Sequence, residues 1–493
     1  MNKLLGIKIP VISQILFLVI GIIALAFIFA GVYLEQPLLF VGPFTLLVAI
    51  VLFFDYQKIY YLLFLCLPIS TEYYFPNGLG TDLPTEPLMW ILLGTFLLYI
   101  IQFGKKTSKA FFIHPISIVL LLHLSWILIS TINSSMIIVS AKFLLAKIWY
   151  VTAFFFFSGI ILNKIIKIER ILWLILIPLI CTNVIILLRY SLVGFDFSEV
   201  NAVLSPFYRN KVNYASFMVC FFPYVIYLLF QQKKFTKKWF FLIAVVGILL
   251  VSLYYTYTRA VYVTLAGATA YYFVIKYKLT KLVFMGSFIV VILGGTYLTH
   301  NNKYLEFAPD FKKTIYHEEF GKLLDATTKL QDLSTMERVY RWVAAYYMIQ
   351  EKPMMGYGPG NFYTFYKSYT VNSFETYVSD NEERSGVHSY YLMTIVEQGF
   401  IGLIFFLTLC LYPLLKAEQL FHRAKDFKTK GIILAATLSL IIIYQLIIIN
   451  DMIETDKVGS FFFLGLAILV LMDLKLRKTE ADKEKTQDVR LKT

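Results

Sequence analysis

Residues 334–362 read STMERVYRWVAAYYMIQEKPMMGYGPGNF, and residues 387–402 read VHSYYLMTIVEQGFIG. The first stretch belongs at the water side of a membrane. The second turns apolar just past His388 and stays so. Ser334 and Glu337 have the Ser-x-x-Glu spacing of a capping box, which predicts a helix from there to about Glu351. Arg338, Arg341, Trp342 and Tyr346 then fall at three- and four-residue offsets and share a face. Lys352-Pro353 ends the helix, and MGYGPGN implies a tight turn with positive φ or close backbone approach. His388 stands at the mouth of a returning membrane helix.

Outward from this segment the chain is mostly hydrocarbon. Of 493 residues 59% are hydrophobic and 17% aromatic, with a mean hydropathy of +0.70, which excludes a soluble globular class. Apolar stretches of about 17 residues or more recur, each matching a hydrocarbon core about 30 Å thick. They predict spans near 11–33, 37–54, 57–72, 87–103, 115–134, 140–162, 171–189, 213–231, 239–256, 260–277, 282–299, 388–415, 431–450 and 458–474. The third is short enough to be re-entrant. The expected fold is therefore an all-α polytopic membrane protein of about 12–14 helices with one large external loop. Residues 1–299 form the N-terminal spans, 300–387 the loop with an amphipathic helix near 335–351, 388–474 the last spans, and 475–493 a charged, disordered tail.

The net charge of +14 does not point to nucleic acid, because the basic residues sit in short loops on alternate connections. Lys105, Lys106 and Lys109, then Lys164, Lys167 and Arg170, then Lys233 to Lys238 and Lys416 to Lys430 alternate with neutral or acidic loops such as DMIETDKVG. The positive-inside rule then puts both termini in the cytoplasm and the loop 300–387 outside. Cys66, Cys181, Cys220 and Cys410 fall inside apolar spans with no CxxC or Cys/His cluster, which indicates neither a zinc site nor a disulfide framework. The N-terminal apolar run has no small-residue cleavage site and reads as a first span.

In this order the motifs resemble those of the O-antigen ligase and O-antigen polymerase superfamily of bacterial envelope glycan enzymes. The resemblance rests on Arg338 with Trp342, on PMMGYGPGNF from Pro353 to Phe362, and on His388 followed by Glu397 and the QGFIG run to Gly402. Upstream, YTYTRAVYVTLAG around Arg259 and RNKVNYASFM around Asn213 are similar to two further family segments. Ser389 stands where the family often has Asn, and Ala260 where Gly is common.

The resemblance implies a GT-C-like membrane glycosyltransferase of the bacterial inner membrane, without metal or cofactor. It would take a glycan from undecaprenyl pyrophosphate at the periplasmic face and pass it to a sugar hydroxyl of lipid A-core. A polymerase, an O-linked protein oligosaccharyltransferase and a lipid-linked glycan transporter are the alternatives. The expected partners are the lipid-linked donor, the glycan acceptor and membrane lipids. A sugar pyrophosphate leaves as a stable anion and needs charge stabilisation, which arginine supplies bidentately. The attacking hydroxyl needs a base, and histidine is suited to that near neutrality. Arg259 and Arg338 are accordingly the candidate leaving-group contacts and His388 the candidate base. Arg341, Lys142, Lys147 and Asn213 are candidate substrate-binding residues.

Other readings of the same residues are weaker. GYGPGN lacks the Lys-Ser/Thr of a phosphate loop and no strand precedes it. Glu397 lies nine residues from His388, on the opposite face of a continuous helix, so it should have a structural partner of its own. His114, His123, His300, His317 and His422 have no motif context. The aromatic run from Phe362 to Tyr369 can stack sugar faces or pack as a lid. A transporter would carry its charges at the bilayer midplane with inverted repeats, whereas here the ionisable residues crowd one face.

Overall fold

The computed structural model describes residues 56–74, 80–104, 109–307, 333–376, 379–381 and 384–492. The spans expected at 11–33 and 37–54 lie outside the described residues. The long helices are α1 (Tyr56–Cys66), α2 (Thr85–Phe103), α3 (Pro115–Ile132) and α4 (Ile137–Val151, continued by a π turn to Ile161). They continue with α5 (Ile165–Leu192), α6 (Lys211–Phe230), α7 (Lys237–Tyr255), α8 (Arg259–Lys276) and α9 (Thr280–Thr299). Last come α10 (Leu333–Glu351), α11 (Tyr390–Arg423), α12 (Phe427–Leu446) and α13 (Asp456–Lys492).

Ten helices among the described residues are long and apolar enough to cross a membrane. The chain is an all-α polytopic membrane protein. Every span expected from residue 87 onward meets a helix. The helix at 260–277, α8, is not among the ten, because Tyr262, Thr264, Thr269, Tyr271 and Tyr272 dilute its apolar run. The span expected at 57–72 is corrected. Its helix stops at Cys66 and passes through a single 3₁₀ turn containing Pro68, which has no N–H to continue the ladder. The chain then forms a two-stranded antiparallel hairpin of β1 (Thr71–Tyr74) and β2 (Gly80–Leu83), with Glu72 opposite Asp82.

Burial separates centre from rim. In α13, 89% of the most apolar stretch is buried, against 17% in α2 and none in α9. The bundle is therefore built around α13 with α6 and α12, while α2 and α9 offer their side chains to lipid. The segment expected to be disordered from residue 475 is helical, since α13 runs on to Lys492 and Arg423 holds Glu480 at 2.7 Å. Its residues are mostly good helix formers.

The two ends of the bundle differ in charge. At one end the buried Asp473 takes His114 (3.1 Å), Lys416 (3.1 Å), Arg423 (3.0 Å) and Arg477 (2.8 Å). His114 thus has a buried partner that its sequence context did not reveal. Tyr227 and Lys428 meet Glu169 there, and His422 meets the Ile275 carbonyl. The described basic loops gather at this end. Asp456 begins the same helix seventeen residues earlier, about 26 Å away by the 1.5 Å rise, at the end where His388 lies.

Candidate active site

α10 opens at Leu333 and ends at Glu351, as expected. The Glu337 carboxylate accepts from Thr376 Oγ1 (2.5 Å) and Ser379 Oγ (2.8 Å) and pairs with Arg341 Nη2 at 3.4 Å. That ties the far side of the loop to the helix and orients Arg341. Arg341 is 4% exposed, and its Nε and Nη1 have no hydrogen-bond acceptor among the described residues. Two donors of a buried, permanently charged fork are thus left without an acceptor there, which is costly unless an anion completes them. Arg338, one turn earlier and half-buried, donates from Nε to the Ile449 carbonyl at 3.2 Å.

His388 sits beside both arginines in a left-handed backbone conformation, φ 57°. Burial first, then the charges of Arg341 and Arg338, push its imidazole down to about 3. It is neutral over the whole physiological range. Its backbone N–H faces the Asp451 carboxylate, which burial pushes above the usual carboxylate range against the pull of both arginines. Gly386 is needed for this approach, because a Cβ there would lie 2.0 Å from Asp451 Oδ2. The Tyr390 N–H donates to the carbonyls of Ile447 (2.9 Å) and Asn450 (3.1 Å), anchoring the start of α11 to the end of α12.

Behind His388 the bundle helix is broken. Gly399 has φ 70° and ψ −175°, a region essentially closed to other residues. The break leaves helix carbonyls without their usual donors, and new donors replace them. The N–H groups of Tyr357 and Gly358 donate to Val396 O (3.0 Å) and Glu397 O (2.9 Å), Trp126 Nε1 donates to Gln398 O (2.8 Å), and Ser130 Oγ also reaches Glu397 O at 3.2 Å. The Phe400 N–H returns a bond to Pro353 O at 2.9 Å. The glycine turn lies flat against the break: a Cβ on Gly356 would meet Glu397 C at 2.4 Å, and one on Gly399 would meet Met354 O at 2.0 Å. The Glu397 carboxylate takes the N–H groups of Gly360 (2.8 Å) and Phe362 (3.2 Å). This turn is the structural partner that a buried carboxylate at Glu397 requires.

Residues 244–407 match the model of the O-antigen ligase family. Over that segment, about a third of its length, the chain is similar to the O-antigen ligase family. No curated protein matches the chain. The ligase-family segment takes in Arg259, α10, the glycine turn, His388 and Glu397, while Asp451 and the residues after it lie beyond it.

Of the residues singled out in the sequence, Arg338, Arg341 and His388 come together. Arg259 opens α8 half-buried, close enough to Lys211 for the two charges to repel, and no described contact joins it to His388. Lys142 is exposed on α4. Lys147, five residues further along, is buried and paired with Glu454, and it donates to Tyr390 Oη at 2.9 Å. The rings of Tyr390, Phe463 and Phe143 surround its ammonium at 5.4, 5.6 and 5.7 Å. Asn213 lies in the first turn of α6, where the Asn210 side chain caps the helix, and it lines a small polar pocket with Asp82, Arg209 and Lys457.

The connection between α12 and α13 was missed. Asp451 faces His388. Tyr390 Oη donates to Glu454 at 2.5 Å. Asp456 accepts from Ser70 and Thr85, and Lys457 donates to the Leu67 and Ser70 carbonyls at 2.5 and 3.0 Å. The available signal was compositional: NDMIETDK puts three carboxylates and a lysine in eight residues of a chain only 15% charged.

Chemically, the cluster offers a buried guanidinium with two donors directed at no described acceptor, a second guanidinium beside it, and an uncharged imidazole. Such a site suits an anion adjoining a hydroxyl.

Proposed function

We propose that this protein transfers a glycan from undecaprenyl pyrophosphate to a sugar hydroxyl of lipid A-core, as an O-antigen ligase does. The observation that carries the reading is Arg341, buried beside a neutral His388 with two donors lacking acceptors among the described residues, inside the family-matched segment. The donor's pyrophosphate completes Arg341 and pairs with Arg338, while Arg259 adds to the positive field. The acceptor hydroxyl oxygen attacks the anomeric carbon of the first sugar. The bond from that carbon to the pyrophosphate oxygen breaks, and the lipid pyrophosphate leaves with the electron pair, held by the arginines. The hydroxyl proton passes to the His388 imidazole and from there to water.

The binding order follows from the electrostatics. Without the donor, burial and then the two arginines keep His388 a weak base. A pyrophosphate lying between them cancels that field, so the imidazole gains basicity once the donor is bound. The distribution of basic loops supports placing the Asp473 end in the cytoplasm, both termini with it, and His388 at the periplasmic face of the inner membrane.

The test uses purified protein, the lipid-linked glycan and lipid A-core. The wild type should form the glycosidic product, and His388→Gln should lose about 10²–10⁴-fold in transfer. Product on a second lipid-linked repeat but none on lipid A-core would make the protein a polymerase. Movement of donor across liposomes with no product on any acceptor would replace the transfer reading by transport.

A further inference from the structure

A groove of about 530 Å³ lies on α10 and the 362–371 segment, and the reaction scheme above makes no use of it. Its walls are Tyr347, Gln350 and Glu351 from the last turns of α10 facing Tyr369 and Thr370, with Ser368 at the edge. Gln350, Glu351 and Ser368 are exposed, and the two tyrosines are half-buried. The wall is held in place by its own hydroxyls. Tyr369 donates to Glu351, Tyr357 and Tyr369 join at 2.7 Å, and Tyr347 joins Tyr304 at 2.7 Å. Lys352 points elsewhere, over the Tyr357 ring at 4.5 Å and to Ser135 Oγ at 3.0 Å.

We infer that this groove is a subsite for the neutral sugar chain of the substrate, on the same helix as the arginines but away from the reacting bond. The inference rests on the transfer reading only for which molecule supplies the sugar. The lining has the chemistry of carbohydrate recognition: ring faces for the C–H faces of a pyranose, and an amide, a carboxylate and hydroxyls as donors and acceptors for its hydroxyl groups. Among the described residues it has no cationic side chain in its lining, which disfavours phosphate. Gln350, nine residues from Arg341, faces the other side of α10, but Glu351 of the same wall lies ten residues on, about 15 Å along the helix and about 80° around it from Arg341. A glycan whose pyrophosphate sits on Arg341 can therefore lay later sugars into the groove. That accounts for an amphipathic helix carrying arginines near its start and a hydroxyl-rich wall at its end.

The glycan released by mild acid from the lipid-linked pool of the source cells lacks both lipid and pyrophosphate, and so probes the groove without the arginine site. Titrated into the full-length protein in nanodiscs, it should bind with Kd on the order of 1 mM. Tyr369→Ala and Gln350→Ala should each weaken binding about tenfold, and Tyr369→Phe, which keeps the ring, about twofold. Ser368→Trp fills the groove from an exposed position and should abolish binding in a protein that still folds. In transfer assays the same variants should raise KM for the full donor with kcat unchanged, and leave a donor bearing only its first sugar unaffected. No binding of the released glycan by the wild type at about 10 mM, or undiminished binding by Ser368→Trp, overturns the inference. Binding lost in Ser368→Trp while the wild type forms no product upholds the groove and removes the transfer reading alone.

Discussion

An uncharged histidine beside two arginines makes a prediction about pH that differs from the behaviour of an ordinary catalytic imidazole. A free imidazole titrates near 6.5, whereas burial and the charges of Arg341 and Arg338 bring His388 down to about 3. At pH 5 about one molecule in a hundred would then carry imidazolium. Since kcat/KM reports the free enzyme and kcat the donor-bound one, the two profiles should separate. With donor far below KM, the His388-dependent part of transfer should be flat from about pH 5 to pH 8. With donor saturating, the pyrophosphate offsets the arginine charges and raises the imidazole pKa, so the acid limb of kcat should lie at higher pH than that of kcat/KM. Arg341→Gln should raise the His388 pKa in the empty site but not restore it fully, because burial is the larger cause. The same shift has a sign for stability. Unfolded His388 takes a proton below about 6.5 and folded His388 does not, so this group costs stability as pH falls from there towards 3 and nothing above. The assay is initial-rate transfer by wild type and His388→Gln across the pH range at low and high donor. A wild-type kcat/KM that falls through a single ionisation near 6.5, absent from His388→Gln, would refute the argument.

Three further outcomes can be checked. Arg341→Gln should lose about 10²–10³-fold in turnover, as for removal of one charge-stabilising donor, and Arg341→Lys should recover only part, because a point charge cannot replace the fork; Arg338→Ala and Arg259→Ala measured beside it show whether those arginines belong to the same site. Gly399→Ala should destabilise the purified protein by more than the roughly 1–3 kcal/mol of its backbone strain, since its Cβ would also meet a backbone oxygen at 2.0 Å; an unchanged melting temperature in detergent would contradict the broken-helix account. For topology, single cysteines at Lys237 and Lys428 should be shielded from an impermeant thiol reagent in intact cells and one at Ser373 labelled, and labelling at position 428 would reverse the orientation.

What was legible in the chain followed local rules. The helices from α2 to α13 could be found because unbroken apolar runs have few alternatives in lipid. α10 and the glycine turn could be found because helical periodicity, proline and glycine act over a few residues. Pairings across the chain could not. Lys147 and Glu454 are 307 positions apart, and nothing near Lys147 shows that its charge is already taken. Arg338 and Arg341 share a face in sequence, yet only packing shows that Arg341 is the deeply buried one with donors unmatched among the described residues. The partners of Glu397 are backbone groups of a turn nearly forty residues earlier, which no periodicity encodes. Asp451 and Glu454 looked like an acidic outer loop because their partners come from three other helices.

The bonds between the glycine turn and the break at Gly399 also limit how such proteins can be recombined. The 333–388 segment looks like a cassette that might be exchanged between relatives to alter what they recognise. Its turn, however, supplies the donors that α11 lacks inside the bundle, and Ser130 and Trp126 of α3 complete the set. A graft cut at the membrane surface would import a foreign turn and leave host carbonyls unmet in hydrocarbon, at several kcal/mol each. The exchangeable unit therefore runs through the first half of α11 and takes the contacting turns of α3 with it. Swaps that respect that seam should yield folded protein, and swaps that cut across it should not.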